Sequence, residues 1–461
     1  MTDRRRTAVV RGGRIGLIPP ANGGDGCRYH SGMNPMPSTA AAWIDSDRLL
    51  DRFLRYVQVG TTADPDTDQY PSTEGQRRLG RMLAEELRQM GLSDVNQDEY
   101  GLVHATLPAN HPDHRSAAGI ALVAHMDTSP EAPGANVRPR VIKDYDNDPI
   151  VLSGGGVIRP SSVDPDVDWT GKTLVVTDGT TLLGGDDKCG VAIIMQFVET
   201  MIRQPHLPRG PIEILMTCDE EIGRGTDKIN VGGLTSVVGY TIDGGGRGVI
   251  DVETFSADAM TVTFVGRNIH PAIAKGEMIN AAKIASRFIG NLPRDEMSPE
   301  TTDGRDGFIH PHTVTGGVGE TSVQLILRSF EESQLDALAD VVIRAAEDAA
   351  AAVTAGDHSA SVQIVRRRQY RNLAEGLAKI PEAVEFAERA LERLGRSYRR
   401  EIVRGGTDGS LLTEKGLPTP NLSSGQYNIH STEEFACLDD MVEATEHLVV
   451  LAEQWAQRGM A

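Results

Sequence analysis

Six side chains able to bind a divalent cation or to move a proton, His125, Asp127, Asp186, Glu220, Glu221 and Asp243, stand at or just beyond the ends of short apolar runs in this chain. The run 119–124 ends in His125-Met126-Asp127. The run 173–177 leads through a Gly/Thr-rich loop to Gly184-Gly185-Asp186-Asp187. The run 212–217 leads to Asp219-Glu220-Glu221, and the run 237–242 ends in Asp243 followed by three glycines. Imidazole and carboxylate donors without thiolates suit zinc, manganese or cobalt. Several carboxylates in one small volume repel one another unless cations neutralise them. Each residue alone has an ordinary explanation: an Asp at a strand end caps a helix, a Glu pair sits in solvent, a His is hydrogen-bonded. Their recurrence in separate loops, beside glycines that let backbone approach closely, is what points to a metal centre.

The elements that must position these groups alternate between strand and helix, which predicts a mixed, mostly parallel α/β sheet flanked by helices. In such sheets ligands bind beyond the carboxyl ends of the strands. Leu50, Phe53, Leu54 and Val57 recur at helical spacing. Thr73-Glu74-Gly75-Gln76 has capping-box spacing ahead of a second helix carrying Leu79, Met82, Leu83 and Leu87, with Gly91 past its end. A helix from near Gly190 presents Val191, Ile194, Met195 and Val198 as a buried stripe, and Val384 to Leu394 and Leu438 to Leu448 mark two more. Between them, residues 257–367 read differently. Met260, Val262 and Phe264 alternate with threonines, and the order β-α-β-β-α-β predicts an inserted ferredoxin-like α+β domain. The chain therefore divides into a disordered extension over 1–42, the first part of a main α/β domain over 43–256, the inserted domain over 257–367, and the second part of the main domain over 368–461.

Of the 461 residues, 46 are basic and 65 acidic, a formal net charge of -19. That balance repels phosphate backbones and anionic lipid, so neither nucleic acid nor a membrane surface is an expected partner. No apolar stretch approaches the roughly 18 residues of a membrane span. Four cysteines without a CxxC pair fit free thiols in a reducing cytoplasm.

Several strings together resemble the tripeptide aminopeptidases (peptidase T) of the M20 family of co-catalytic two-zinc metallopeptidases. They are His125-Met-Asp-Thr-Ser-Pro130, Thr181-Leu-Leu-Gly-Gly-Asp-Asp-Lys188, Asp219-Glu-Glu-Ile-Gly-Arg-Gly225, Ile242-Asp-Gly-Gly-Gly246, Gly405-Gly-Thr-Asp-Gly409 and Ser424-Gly-Gln-Tyr-Asn-Ile-His430. The resemblance runs from about residue 43 to the C-terminus. It implies two zinc ions: His125 and Asp243 on the first, Glu221 and His430 on the second, and Asp186 bridging them. It makes Glu220 the general base, has Asp127 orient His125, and predicts a cis peptide at Asp186–Asp187. It makes the main domain the catalytic one and the inserted domain a lid, and on the substrate side it implies His270 on that lid as a carbonyl or oxyanion partner. Arg404 is the first candidate to anchor a peptide carboxylate and Arg328 the second, because the guanidinium fork matches a carboxylate; Asn372 completes the set. Short peptides are the implied partners, with dimer contacts through the lid. The motif pattern departs from the family at Ala272, after His270-Pro271, and at Gln426, both where glycine is usual. Ala272 would be strained if its position needs positive φ. A dipeptidase, carboxypeptidase or N-acyl amino acid deacylase of the same superfamily is the alternative reading, and a non-catalytic binding protein on the same scaffold a more distant one.

Overall fold

Strand Gly119–His125 is buried at every position because it lies in the middle of a large sheet. Its neighbours are Ile212–Thr217 on one side and Ser236–Gly245 on the other, both parallel to it, and Asn421–Tyr427 continues the parallel set. A continuous apolar sequence such as Ile120-Ala121-Leu122-Val123 suits a strand covered on both faces. The architecture is that of a computed structural model in which residues 43–458 are described; the extension expected over 1–42 lies outside the described residues.

Antiparallel strands flank this parallel centre, so the sheet is mixed. Val103–Leu107 and Asn96–Gln97 extend one side, and Phe435–Cys437, Leu174–Val176 and Arg140–Ile142 the other. Phe435–Cys437 runs antiparallel to Asn421–Tyr427, and Leu174–Val176 antiparallel to Phe435–Cys437. Two reversals restore the direction. Leu174–Val176 therefore delivers the Asp186 loop to the same end of the sheet as His125, Glu220 and Asp243.

Helix Gly185–Arg203 crosses behind that end. It is buried on every side from Gly185 to Met201, where a single stripe was expected, because it is enclosed by the sheet and by helices Ser46–Val57 and Leu438–Gln457. Asp186 and Asp187 have non-helical φ/ψ, so regular helix begins at Lys188. Their shared peptide bond is cis, as the resemblance implied. The capping box expected at Thr73 does not form. Gln76 instead turns inward, donating to Asp219 Oδ1 at 2.6 Å and accepting the Asp219 N–H at 3.1 Å. The demand came from Asp219, which sits buried in the left-handed region (φ 62°): Ser72 already donates to both of its carboxylate oxygens, but its buried N–H has Gln76 as its acceptor.

The segment read as a lid forms its own four-stranded antiparallel sheet in the order Phe308–Gly316, Glu320–Ser329, Ser256–Val265, Ser361–Tyr370. Helices Ala281–Asn291 and Glu332–Ala351 cover one face. Met260, Val262, Phe264, Ile284, Phe288, Val323, Leu325 and Val342 are its buried core. Fully burying each of the larger side chains contributes about 1.5–3 kcal/mol. The last strand, Ser361–Tyr370, continues three residues past the expected end of the segment at 367.

Candidate metal centre

The groups predicted from separate loops converge. His125 Nε2 lies 2.9 Å from Asp186 Oδ1 and 3.8 Å from Asp243 Oδ1. His430 Nε2 lies 2.9 Å from Glu221 Oε2 and 3.4 Å from Asp186 Oδ2. Asp186 thus stands between the two imidazoles and turns one oxygen to each. Donor atoms of His125, Asp186 and Glu221 all fall within 4.8 Å of one another, as do those of His125, Asp187 and Asp243.

Each donor is aimed by neighbours. The His125 ring stands with Nδ1 3.2 Å from its own loop's Asp127 carbonyl and 3.5 Å from the Asp127 carboxylate, leaving Nε2 to face the cluster. The Asp127 carboxylate also accepts the N–H groups of Glu220 and Glu221, each at 3.1 Å. It therefore orders the Glu220–Glu221 loop as well as the histidine, which reading His125-Met126-Asp127 as a local unit missed. Asp243 accepts from Gln426 Nε2 at 3.1 Å, and its N–H donates to Asn421 at 3.1 Å. Gln426, one of the two departures from the family pattern, therefore touches a member of the donor group directly. Ala272, the other, lies in a short turn of helix without positive φ, so the strain considered there is absent. Asp187, not singled out beforehand, accepts the N–H groups of His125 and Gly190 at 3.2 and 3.1 Å; it ties backbone together within the donor group.

The electrostatics are those of a cation site. Burial pushes the carboxyls of Asp243, Glu220 and Glu221 above the ordinary range, and neighbouring carboxylates add to it. Hydrogen bonds to Asp186 and Glu221 raise His430 to about 11. Buried carboxyls held this close together are ones that a divalent cation would neutralise. Glu221 Oε1 is buried without a protein partner. The donor set of imidazole and carboxylate, with an orphaned buried oxygen aimed within it, fits two divalent cations.

The substrate-side expectations fare unevenly. Arg328 donates from one Nη to the Arg404 carbonyl at 3.2 Å, while its Nε is buried without a partner. Arg404 is committed elsewhere: its guanidinium donates to the Gly304 carbonyl (3.1 Å) and Thr302 (2.8 Å) and lies over the rings of Phe255 and Phe308. Of the two arginines, Arg404 has its guanidinium engaged within the fold and Arg328 has one nitrogen without a partner. Asn372 is corrected outright. Its oxygen accepts from Thr254 and Ala374 and its amide donates to Glu253 and Phe330, so all of its capacity joins lid to sheet. His270 is exposed and its Nδ1 accepts the Ala272 N–H at 3.2 Å; none of its hydrogen bonds reaches the cluster. Tyr370 was not anticipated. Its hydroxyl is buried without a partner, and its ring lies so close to Gly406 that a side chain there would collide with it.

A parallel-centred sheet with this donor group at its carboxyl end and an inserted antiparallel lid defines a metallopeptidase scaffold. The chain belongs to peptidase family M20/M25/M40, whose model matches residues 176–454. Among curated relatives it is 40% identical to Peptidase T of Geobacillus thermodenitrificans over 412 residues, covering 89% of this chain and 98% of that one, and 39% identical with the same coverage to Peptidase T of Bacillus subtilis. Among solved structures, a tripeptidase from Staphylococcus aureus matches with a TM-score of 0.69 at 22% identity, and aminopeptidase PepT from Bacillus cereus with 0.67 at 23%; each comparison covers 90% of this chain and 100% of the other.

Proposed function

We propose that the protein is a metallo-aminopeptidase that removes the N-terminal residue from tripeptides. The observation that carries this reading is Asp186, set between His125 and His430 with one oxygen turned to each. His125 and Asp243 would hold one cation, Glu221 and His430 the other, and Asp186 would serve both, with zinc as the metal. When bound, the cation pair lowers the pKa of a water and polarises the scissile carbonyl.

The chain's own groups do the rest. Glu220, next to the ligand Glu221 and held at its backbone by Asp127, takes the proton of the attacking water and passes it to the leaving amine. Burial holds the Glu220 carboxyl high, which suits a group that must first accept a proton and then release it. Arg328, with an unpartnered Nε, pairs with the peptide's carboxylate. His270 would join the carbonyl oxygen only once the lid changes position or a second copy presents its own lid, consistent with a dimer formed through that domain. No helix among the described residues is long and apolar enough to cross a membrane. Short peptides as substrates and the free, buried Cys189, Cys218 and Cys437 support a cytoplasmic role.

Metal content and a tripeptide panel test the reading together. Two equivalents of divalent metal and cleavage of free tripeptides at the first bond are expected. Preferential cleavage of N-acetylated peptides would replace it with a deacylase of the same superfamily.

A further inference from the structure

Resting on the two-cation reading above, we propose that Glu434 is a positioning residue that sets the placement of Asp186 relative to His430, and with it the affinity of the second cation site. Glu434 lies four residues after His430 and is 1% exposed. Its Oε2 accepts the Gly184 N–H at 2.8 Å and its Oε1 the Asp186 N–H at 3.0 Å. Among the described residues it forms no ion pair within salt-bridge distance, so a fully buried carboxylate is held chiefly by the amides of the loop that presents the shared ligand. That loop is shaped for it. Gly184 is in the left-handed region (φ 79°), and a Cβ at Gly185 would come to 3.0 Å from Glu434 Oε1.

On its own side, the Glu434 N–H donates to the Ser431 carbonyl at 3.1 Å, one residue from His430. The same turn is tied outward by Glu433, which accepts the Val157 N–H at 3.3 Å. Glu434 is thus the inward tie between two ligand loops that are 244 residues apart in sequence, from Asp186 to His430. The chemistry requires a carboxylate. Two diverging amide donors need two acceptor oxygens, whereas the amide of Gln would turn its NH2 against one of them. Losing one tie frees Asp186 and the His430 turn to drift apart. The first site keeps His125 and Asp243, which Glu434 does not touch.

The test is zinc titration of the full-length protein, stripped of metal, against a competing chromogenic chelator. Wild type, Glu434→Gln, Glu434→Asp and Glu433→Gln are compared, with thermal unfolding of each metal-free form to check folding. The expected result is at least a tenfold weakening of the weaker site in Glu434→Gln, with the tighter site within about threefold. Glu434→Asp, which keeps the charge but shortens its reach, should give a smaller effect on the same site, and Glu433→Gln none. Equal weakening of both sites, or unchanged affinities in both Glu434 variants, would overturn the assignment. A wild-type protein that fails to take two zinc ions would instead overturn the two-cation reading.

Discussion

Replacing Asp127 by Asn tests how far the site depends on one carboxylate that binds no substrate. The Asp127 side chain is fully buried and accepts three approaches: the N–H groups of Glu220 and Glu221 at 3.1 Å and the His125 ring at 3.5 Å. Asn retains one oxygen, and its NH2 must face an N–H that previously had an acceptor. A hydrogen bond to a charged group is worth about 1.5–3 kcal/mol, and a buried donor left unpaired costs about 1–3 kcal/mol. Because the base loop can relax in part, the combined loss is about 3–4 kcal/mol, or roughly 100- to 1000-fold in kcat/KM. The assay is steady-state hydrolysis of a free tripeptide with metal content measured on the same sample. A variant within about fivefold of wild type at full metal content would refute the claim that Asp127 orders the Glu220–Glu221 loop.

Further outcomes follow from the same geometry. Glu220→Gln should retain both metals while kcat falls by about 10²–10⁴, the range of a lost general base; turnover near normal would remove Glu220 from that role. Arg328→Ala should raise KM for tripeptides more than for their C-terminal amides. Arg404→Ala should instead lower the melting temperature, since its guanidinium joins Gly304, Thr302 and two phenylalanine rings; the reverse pattern in kinetics and calorimetry would restore Arg404 as the anchor. Burial lowers His447 from 6.5 to about 4, and its ring donates to the Ala387 carbonyl at 2.8 Å. The neutral form is the folded one, so stability is full above pH 6.5 and falls as pH drops towards 4, by about 3 kcal/mol if no other group compensates. Urea melts from pH 7 to 4 should show a shallower decline in His447→Gln than in wild type, and parallel declines would exclude His447 as the source.

The buried strands could be read from sequence because a strand covered on both faces is nearly continuous in apolar residues; the chain shows this at 119–124 and, apart from Glu213 and the terminal Thr217, at 212–217, where the buried Glu213 carboxylate accepts the Thr235 and Ser236 N–H groups. The lid was equally legible, since Met260, Val262 and Phe264 alternate with threonines where one face meets helices and the other does not. Helix Gly185–Arg203 was only half legible. Its residues permit a helix, but whether one face or all faces are buried depends on neighbours drawn from distant parts of the chain. Gln76 shows the same limit: its spacing from Thr73 satisfies a local cap, yet the stronger need lay at Asp219, 143 residues away.

At the site, residue type and strand-end position were enough to nominate His125, Asp127, Asp186, Glu220, Glu221 and Asp243, because ligand chemistry is carried by the side chain itself. Which groups aim them was decided in three dimensions. Gln426 holds Asp243, Glu434 holds the Asp186 loop, and Asp127 orders a second loop besides its own. The two arginines make the point most simply. Their side chains are identical, and only the folded chain, by giving the Arg404 guanidinium two acceptors and two aromatic rings and leaving the buried Arg328 Nε with none, tells one from the other.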